Sequence, residues 1–301
     1  MVFAGGDWHS SQSQYNPSGD GSGSEIWSLN VLTDTWTLER PFCVTGQVQP
    51  GGPDTVGWAY DSRRNRGLMN PGFYFVTQGA TDQCGSIYGW GGYAFDFATK
   101  AFVGPDASAG LPAPPVTGWG GDSGASYSTY DSVNDELIRI FGTQLQRLNL
   151  GTKTWRVQNL SNGNPNWNPI TNRAQLVIDT SGRAVFFMDS QARQLVRVSL
   201  VDGSVTSSPL PSQYVAPPTD HEVYLAFDPI NRVVLVPNNV DMGISPLNGL
   251  GIYKADARTW EWQAVPQAVV GSVWGFDENT GALIGIGKRA APSSYYLFKY
   301  K

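Results

Sequence analysis

A short motif that recurs five times constrains the fold of this chain more than any other feature. In each copy a polar residue ends one predicted strand, and a large apolar residue six positions later begins the next. The copies are Asn30 with Trp36, Asp96 with Phe102, Asn149 with Trp155, Ser199 with Val205, and Lys254 with Trp260. Neighbouring copies lie 50 to 66 residues apart, so one structural unit is used repeatedly.

A second repeat alternates with the first. An aromatic or aliphatic residue followed by aspartate ends a strand, a short polar turn follows, and a strongly apolar strand comes next. An aspartate side chain can accept hydrogen bonds from backbone N–H groups two or three residues further on, so we interpret these acids as turn formers. The dense apolar runs after the turns predict strands that are buried on both faces. The five aspartates are Asp61, Asp131, Asp179, Asp228 and Asp277, and the last four are spaced by 48, 49 and 49 residues.

Together the two repeats give a unit of four antiparallel strands. Four strands of a twisted sheet form a wedge, and several wedges around an axis bury both faces of each sheet. The sequence therefore predicts an all-β fold, a six-bladed β-propeller of four-stranded blades, with five blades plus an extra hairpin as the alternative. We expect residues 1–301 to form a single domain in which the two chain ends meet to close the ring.

These residues resemble the kelch-type propellers, a family that includes the propeller domain of galactose oxidase. The resemblance rests on Val2–Gly6 with its double glycine, on Ile26–Asn30 followed by Trp36, and on the later copies of both repeats. It covers nearly the whole chain, although the family's double glycine after the second strand of a blade is clean only at Gly5-Gly6. The resemblance implies the fold and leaves function open, because kelch-type propellers include scaffolds, ligand binders and enzymes.

Charge and hydropathy exclude two classes of partner. The formal net charge is −5, and Arg63–Arg66 is the longest basic cluster, so we predict no nucleic-acid partner. No apolar run reaches the roughly 18 residues needed to cross a bilayer, so we predict no membrane insertion. The segment Met1–Gly6 is typical of a strand, which predicts that no signal peptide is present or that it has been removed.

Few residues suit cofactor or metal chemistry. Two cysteines, Cys43 and Cys84, are too few for a thiolate metal site. They either form a disulfide with each other or remain two buried thiols, and the sequence leaves both alternatives open. His9 and His221 are the only histidines, which disfavours a copper site or a serine-hydrolase triad. Residues 16–25 resemble a calcium loop faintly, but Trp27 stands where the bidentate glutamate belongs. We therefore predict no cofactor and no metal.

Candidate binding residues lie in the segments that do not repeat. Trp8, Trp90, Trp119 and Trp167 occur in connections rich in Gly and Asn, and Asp122 lies close to Trp119. Flat aromatic faces beside polar side chains suit both sugar rings and protein interfaces. The alternative, that these tryptophans only anchor long loops onto the blades, stays open.

Four acids outside the turn positions could serve glycan chemistry, because glycoside hydrolysis needs a pair of carboxylates. They are Asp7, Asp122, Asp220 and Glu222. Nothing in the sequence brings them into one pocket, so we predict a non-enzymatic interaction or structural propeller that binds a protein partner or itself. The weak charge favours an extracellular or virion assembly, with the cytoplasm still open. The alternatives are a lectin-like carbohydrate binder and a glycan-active hydrolase or lyase.

Overall fold

The structure is a computed structural model of the chain. It describes residues 2–4, 26–41, 44, 48–50, 58–69, 87–89, 92–104, 110–112, 115, 128–161, 175–189, 192–214, 225–237, 249–264, 272–277, 280–287 and 295–300. Within these residues the regular elements are 24 β-strands, as the all-β prediction requires. The chain divides into two compact units, Met1–Gln158 and Asn159–Lys301.

The first unit contains three antiparallel sheets and one short parallel pair. The N-terminal sheet consists of β1 (Val2–Ala4), β2 (Ile26–Asn30) and β3 (Thr35–Arg40). The parallel pair is β4 (Val48–Pro50) with β7 (Ile87–Gly89). Blade 1 consists of β5 (Trp58–Asp61), β6 (Arg66–Met69), β8 (Tyr93–Asp96) and β9 (Ala101–Val103). Blade 2 consists of β10 (Ser128–Asp131), β11 (Glu136–Phe141), β12 (Gln144–Asn149) and β13 (Thr154–Asn159).

The second unit contains three more antiparallel sheets. Blade 3 consists of β14 (Val177–Asp179), β15 (Ala184–Asp189), β16 (Gln194–Ser199) and β17 (Val205–Pro209). Blade 4 consists of β18 (Ala226–Asp228), β19 (Val233–Pro237), β20 (Gly249–Lys254) and β21 (Thr259–Ala264). Blade 5 consists of β22 (Ser272–Asp277), β23 (Ala282–Gly287) and β24 (Tyr295–Phe298).

The blade count differs from the six expected from the sequence. Five sheets begin with the hairpin that carries the repeated aspartate, and four of these five have four strands. The N-terminal sheet has three strands and lacks that hairpin, so it is not a complete blade. The described strands thus form five propeller blades and a separate three-stranded sheet, which is nearer to the five-blade alternative. Closure of one ring by the chain ends stays a prediction.

The repeated aspartates form turns as predicted. Oδ1 of Asp228 accepts hydrogen bonds from the backbone N of Ile230 at 2.8 Å and of Asn231 at 3.0 Å. Asp131 accepts one from the N of Val133 at 3.0 Å. The fourth residue after the aspartate takes a positive φ in each described case, for example 54° at Arg232. The carboxylate thus satisfies the amides of a turn that would otherwise leave them unpaired.

The strands after these turns are buried on both faces, as their composition predicts. In β15 all six residues are buried, and in β11 the first five are. The outermost strands are half exposed, because they have a neighbour on one side only. Trp155 of β13 packs against an apolar cluster that includes Leu68 of blade 1 and Leu137 of blade 2, so this recurring tryptophan lies between two blades.

Candidate functional site

Each four-stranded blade has two different ends. In blade 2 the backbone N of Leu150, in the turn between β12 and β13, donates to O of Asp135, in the turn between β10 and β11, at 3.0 Å. Leu200 N bonds Arg183 O at 2.8 Å in blade 3 in the same way. Both tight turns of a blade therefore lie together at one end, which we call the turn end. The segments that join one blade to the next leave from the opposite end, which we call the connection end and which also holds the turn between the second and third strands.

Charged side chains join the turn ends of blades 1 and 2. Arg64 Nη1 donates to Asp61 Oδ2 at 3.0 Å and to Asp135 Oδ1 at 2.7 Å, while its Nη2 donates to Asp135 Oδ2 at 2.5 Å. Tyr130 donates its hydroxyl to Asp135 Oδ1 at 2.9 Å. Hydrogen bonding from Arg64 holds the pKa of Asp135 at about 2, and burial raises the pKa of Tyr130. The polar atoms of these side chains are hydrogen-bonded to one another. Their role is therefore to link blade 1 to blade 2.

A similar link joins the turn ends of blades 3 and 4. Arg232 Nη2 lies 2.9 Å from Asp179 Oδ2, and Arg232 Nε donates to Asp256 Oδ2 at 2.9 Å. The hydrogen bond from Arg232 lowers the pKa of Asp256. Asp61 is paired with Arg64 of its own turn, and Asp179 is paired with Arg232 of the next blade's turn, so one repeated aspartate in each unit has a structural role beyond its turn.

The residues predicted to bind a partner fall in the connections. Trp8, Trp90, Trp119, Asp122 and Trp167 lie outside the described residues, so the structure tests none of them. The strands that bracket them are described: Trp90 comes between β7 and β8, and both Trp119 and Asp122 come between β9 and β10. Also outside the described residues are Asp7, His9, residues 16–25, Cys43, Cys84, Asp220, His221 and Glu222.

The described part of the connection between blades 1 and 2 is held by both blades. Leu111 is 1% exposed and forms an antiparallel bridge with Gly92, just before β8. Lys153 Nζ donates to Gly110 O at 2.7 Å, and Trp155 Nε1 donates to Pro112 O at 3.1 Å. The segment that leads toward Trp119 and Asp122 therefore starts from a fixed position.

A row of buried polar side chains crosses blade 2 near its connection end. Ser128, Arg139 and Gln146 are paired in register on β10, β11 and β12, and they are 3%, 1% and 0% exposed. Ser128 Oγ and Gln146 Oε1 have no hydrogen-bond partner. The Arg139 guanidinium carbon lies 4.8 Å from the centre of the Phe141 ring. We call these three residues the polar row.

The polar row shares a face with part of the apolar cluster between blades 1 and 2. Leu137 and Leu148 are paired across β11 and β12, two positions from Arg139 and Gln146, so they point to the same side of the sheet. Both leucines belong to the cluster that includes Leu68 of blade 1. The face is therefore apolar toward the turn end and polar toward the connection end.

Sequence reasoning missed the polar row, because Arg139 lies inside a run that reads as an apolar strand. A sharper signal was present at the position eight residues after each turn aspartate. Among the five copies only blade 2 has a charged residue there, and the other four residues are Met69, Phe187, Val236 and Gly285. Alignment of the copies on the turn aspartate identifies Arg139 as the exception.

Two features are absent from the part of the chain that the structure describes. No group of three or more His, Cys, Asp or Glu side chains is placed to hold a metal ion. No helix there is long and apolar enough to span a bilayer.

Comparison by sequence identifies no relative. The chain matches no protein-family model, so its resemblance to kelch-type propellers is not confirmed. A search of the curated proteins also gives no match.

Comparison by structure gives likenesses of low identity. One is a streptogramin B lyase, with TM-score 0.47 and 14% identity over 94% of this chain and 77% of that one. Another is the virginiamycin B lyase from Staphylococcus aureus, with TM-score 0.45 and 11% identity over 82% of this chain and 70% of that one. A protein of unknown function from Bacteroides thetaiotaomicron has TM-score 0.50 and 10% identity over 88% of this chain and 62% of that one. At such identities the likeness concerns the fold alone.

Proposed function

We propose that this chain is a non-enzymatic binding propeller that holds a partner protein, or a second copy of itself, through the connections of its blades. One observation carries the proposal: in blades 2, 3 and 4 the turn after the first strand and the turn after the third strand meet at one end, and the connection to the next blade leaves from the opposite end. The non-repeating tryptophans Trp90 and Trp119 belong to such connections. Binding residues are commonly carried on loops that a rigid scaffold positions.

The lengths of the segments at the two ends of a blade support a structural role for the turn end and a binding role for the connection end. The turns at the turn end have four or five residues, as in 132–135 and 200–204, whereas residues 104–127 separate β9 from β10. Connections of more than about 12 residues inside a compact domain are usually functional or disordered. Trp119 and Trp90 bring large apolar faces with few rotatable bonds, which is the chemistry of interface hot spots.

The surroundings we propose are an assembly outside the cell, either secreted or a virus particle. Charged residues make up only 15% of the chain, with 35 glycines, which suits a weakly charged surface made for contact. We also propose that residues 1–301 close into one ring.

Substitutions at the two ends of a blade test the proposal. We expect Trp119→Ala and Trp90→Ala each to weaken the binding of the copurified partner, or self-association, by about thirtyfold, because a hot-spot truncation costs about 2 kcal/mol. The matched control is Val133→Ser at the turn end, where Val133 is 56% exposed. Binding is measured by sedimentation or surface plasmon resonance with the full chain. Loss of binding in Val133→Ser and normal binding in both tryptophan variants would contradict the proposal.

The two alternatives give different results. A lectin-like function requires selective binding on a glycan array that Trp119→Ala removes. A glycan-active hydrolase or lyase requires release of reducing or unsaturated sugar ends, which Asp122→Asn would abolish while protein binding persists. Neither result is expected under the proposed function.

A further inference from the structure

We propose that Asn159 is a site of N-linked glycosylation, at which an oligosaccharide is joined to the side-chain nitrogen of the asparagine. Asn159, Leu160 and Ser161 form the acceptor sequence Asn-x-Ser, in which x is any residue except proline. The inference rests on one part of the proposed function, the location outside the cell, because such sugars are added on the secretory route. It does not depend on which partner the propeller binds.

The chain contains one acceptor sequence of this kind. Asn159 is the only asparagine with a serine or threonine two positions later and no proline between them. Asn16 also has a serine two positions later, but Pro17 lies between them and excludes that site. Because so short a sequence also arises by chance, the accessibility of Asn159 in the fold decides whether it can carry a sugar.

Asn159 is exposed at the end of an edge strand. It is the last residue of β13, the outermost strand of blade 2, and the sheet as the structure describes it has no strand beyond β13. Its neighbours Arg156 and Val157 on the same strand are exposed as well. An oligosaccharide is bulky and hydrophilic, so it is compatible with the fold only at such a solvent-facing position.

The side chain of Asn159 is not used by the fold. Other asparagines hold turns with their side chains: Asn149 Oδ1 accepts from the N of Gly151 at 3.0 Å, and Asn231 Nδ2 donates to Asp228 Oδ2 at 2.7 Å. Within the described part of the chain, the side chain of Asn159 makes no hydrogen bond. A sugar on its nitrogen therefore displaces no native contact there.

The serine of the acceptor sequence is also at the surface. Ser161 is exposed, and its backbone N donates to Gly203 O at 3.1 Å, in the turn between β16 and β17. Its Oγ lies 3.4 Å from the same oxygen, which is long for a hydrogen bond. Ser161 also forms a parallel bridge with Ser204. These contacts hold the backbone just after Asn159, so the sugar is attached at a fixed point of the fold.

The modification is a transfer of one glycosyl group. The donor is an oligosaccharide whose first sugar is linked through its anomeric carbon to a lipid diphosphate. Nδ2 of Asn159 forms a bond to that carbon, the bond from the carbon to the phosphate oxygen breaks, and the lipid diphosphate leaves. The amide nitrogen loses one proton in the same exchange, and neither an oxidant nor a reductant is required.

A sugar at this position lies at the connection end of blade 2. The tight turn of residues 150–153 precedes β13, and Asn159 ends the strand on the opposite side. Edge strands expose unpaired backbone groups that can pair with another chain, and natural proteins cover or interrupt them. We expect the sugar on Asn159 to shield the open edge of β13 in this way.

The test produces the full chain behind a secretion signal in a eukaryotic cell line. We expect a heavier species that peptide N-glycosidase F converts to the mass of the bare chain, with aspartate at position 159 as the trace of the removed sugar. Asn159→Gln should abolish the mass shift completely. Cells and medium are both sampled, so a chain that is retained inside the cell is measured as well.

Three further variants separate the acceptor sequence from general exposure. Ser161→Ala should abolish the mass shift, whereas Ser161→Thr, which keeps the hydroxyl, should preserve it. Asn134→Gln is the matched control, because Asn134 is exposed but has no serine or threonine two positions later. It should leave the mass shift unchanged. The unfolding temperature of Asn159→Gln should equal that of the enzymatically deglycosylated chain, since the side chain makes no native contact.

Two results would overturn the inference. The first is a chain from cells and medium that carries no sugar at Asn159. The second is a mass shift that persists in Ser161→Ala. The proposed function fails separately: a chain that is glycosylated at Asn159 but binds no partner contradicts only the binding proposal, and partner binding by an unglycosylated chain contradicts only this one.

Discussion

At the scale of single residues, Asp135 combines a left-handed turn conformation with a link between two blades. Its φ is 56°, a value that few residues other than Gly, Asn and Asp adopt readily. Its carboxylate also accepts hydrogen bonds from Arg64 of blade 1 and from Tyr130. Asp135 therefore fixes a turn and an interblade link together.

Asp135 makes the stability of the chain sensitive to acid. Its pKa falls from 3.8 to about 2 in the folded chain. Its stabilisation is therefore complete above about pH 4 and is lost as the pH falls through about 2, an effect of about 2 kcal/mol. We expect Asp135→Asn, which keeps the turn residue type, to flatten the pH dependence of urea unfolding between pH 4 and 2.

The control for this prediction is Asp34→Asn. Asp34 also has a positive φ, 51°, and it is exposed in the turn between β2 and β3. Asp34→Asn should reduce the acid dependence less than Asp135→Asn does, because Asp135→Asn also removes the ion pair with Arg64. If both variants reduced the pH dependence of unfolding equally, Asp135 would contribute no more to acid sensitivity than an ordinary turn aspartate.

At the scale of elements, the sequence predicts some features of a blade well and others poorly. Asp131 and Asp228 were interpretable as turn formers because a carboxylate acts on amides two and three residues away, which is local chemistry. Trp155 was predictable because its position recurs. The orientation of Arg139 was not predictable. An apolar strand tolerates one polar residue, and only the packing of the blade decides which way that residue points. The parallel pair of β4 and β7 was also missed, because pairing across 39 residues has no local signal.

Two equivalent tryptophans in outer strands should respond differently to the same substitution. Trp155 Nε1 donates to Pro112 O at 3.1 Å, whereas Trp260 Nε1 is buried and has no hydrogen-bond partner. We expect Trp155→Phe to lower the free energy of unfolding by about 1 kcal/mol more than Trp260→Phe does, because only the first loses a hydrogen bond. Chemical denaturation followed by circular dichroism measures both. Equal losses would mean that the Pro112 contact contributes nothing to stability.

At the scale of the whole molecule, counting strands gave the fold class but not the number of blades. The N-terminal sheet contains an outer hairpin, β2 with β3, but among the described residues it has no strand from an aspartate hairpin. No aspartate copy precedes Asp61 in the repeat, so counting copies of the outer hairpin alone overestimates the number of blades. The binding residues Trp8, Trp90, Trp119, Asp122 and Trp167 stay predictions, because non-repeating segments offer no second copy for comparison.

The proposed single ring predicts how the two units unfold. If residues 1–301 close into one ring, scanning calorimetry should show one transition. Asp135→Asn in the first unit and Arg232→Gln in the second should both lower its midpoint, since each removes an interblade ion pair. Two transitions, each shifted by one of the variants only, would instead mean that the units unfold independently.

The uniform length of the tight turns limits how such a chain can change over generations. The next strand begins five positions after the turn aspartate, so that four residues lie between them, in blades 1, 2, 3, 4 and 5 alike. One inserted residue would reverse the face of every side chain that follows in a strand, so the turns cannot drift in length. The connections have no such register to keep. New recognition can therefore arise by lengthening or exchanging connections while the blades are copied unchanged.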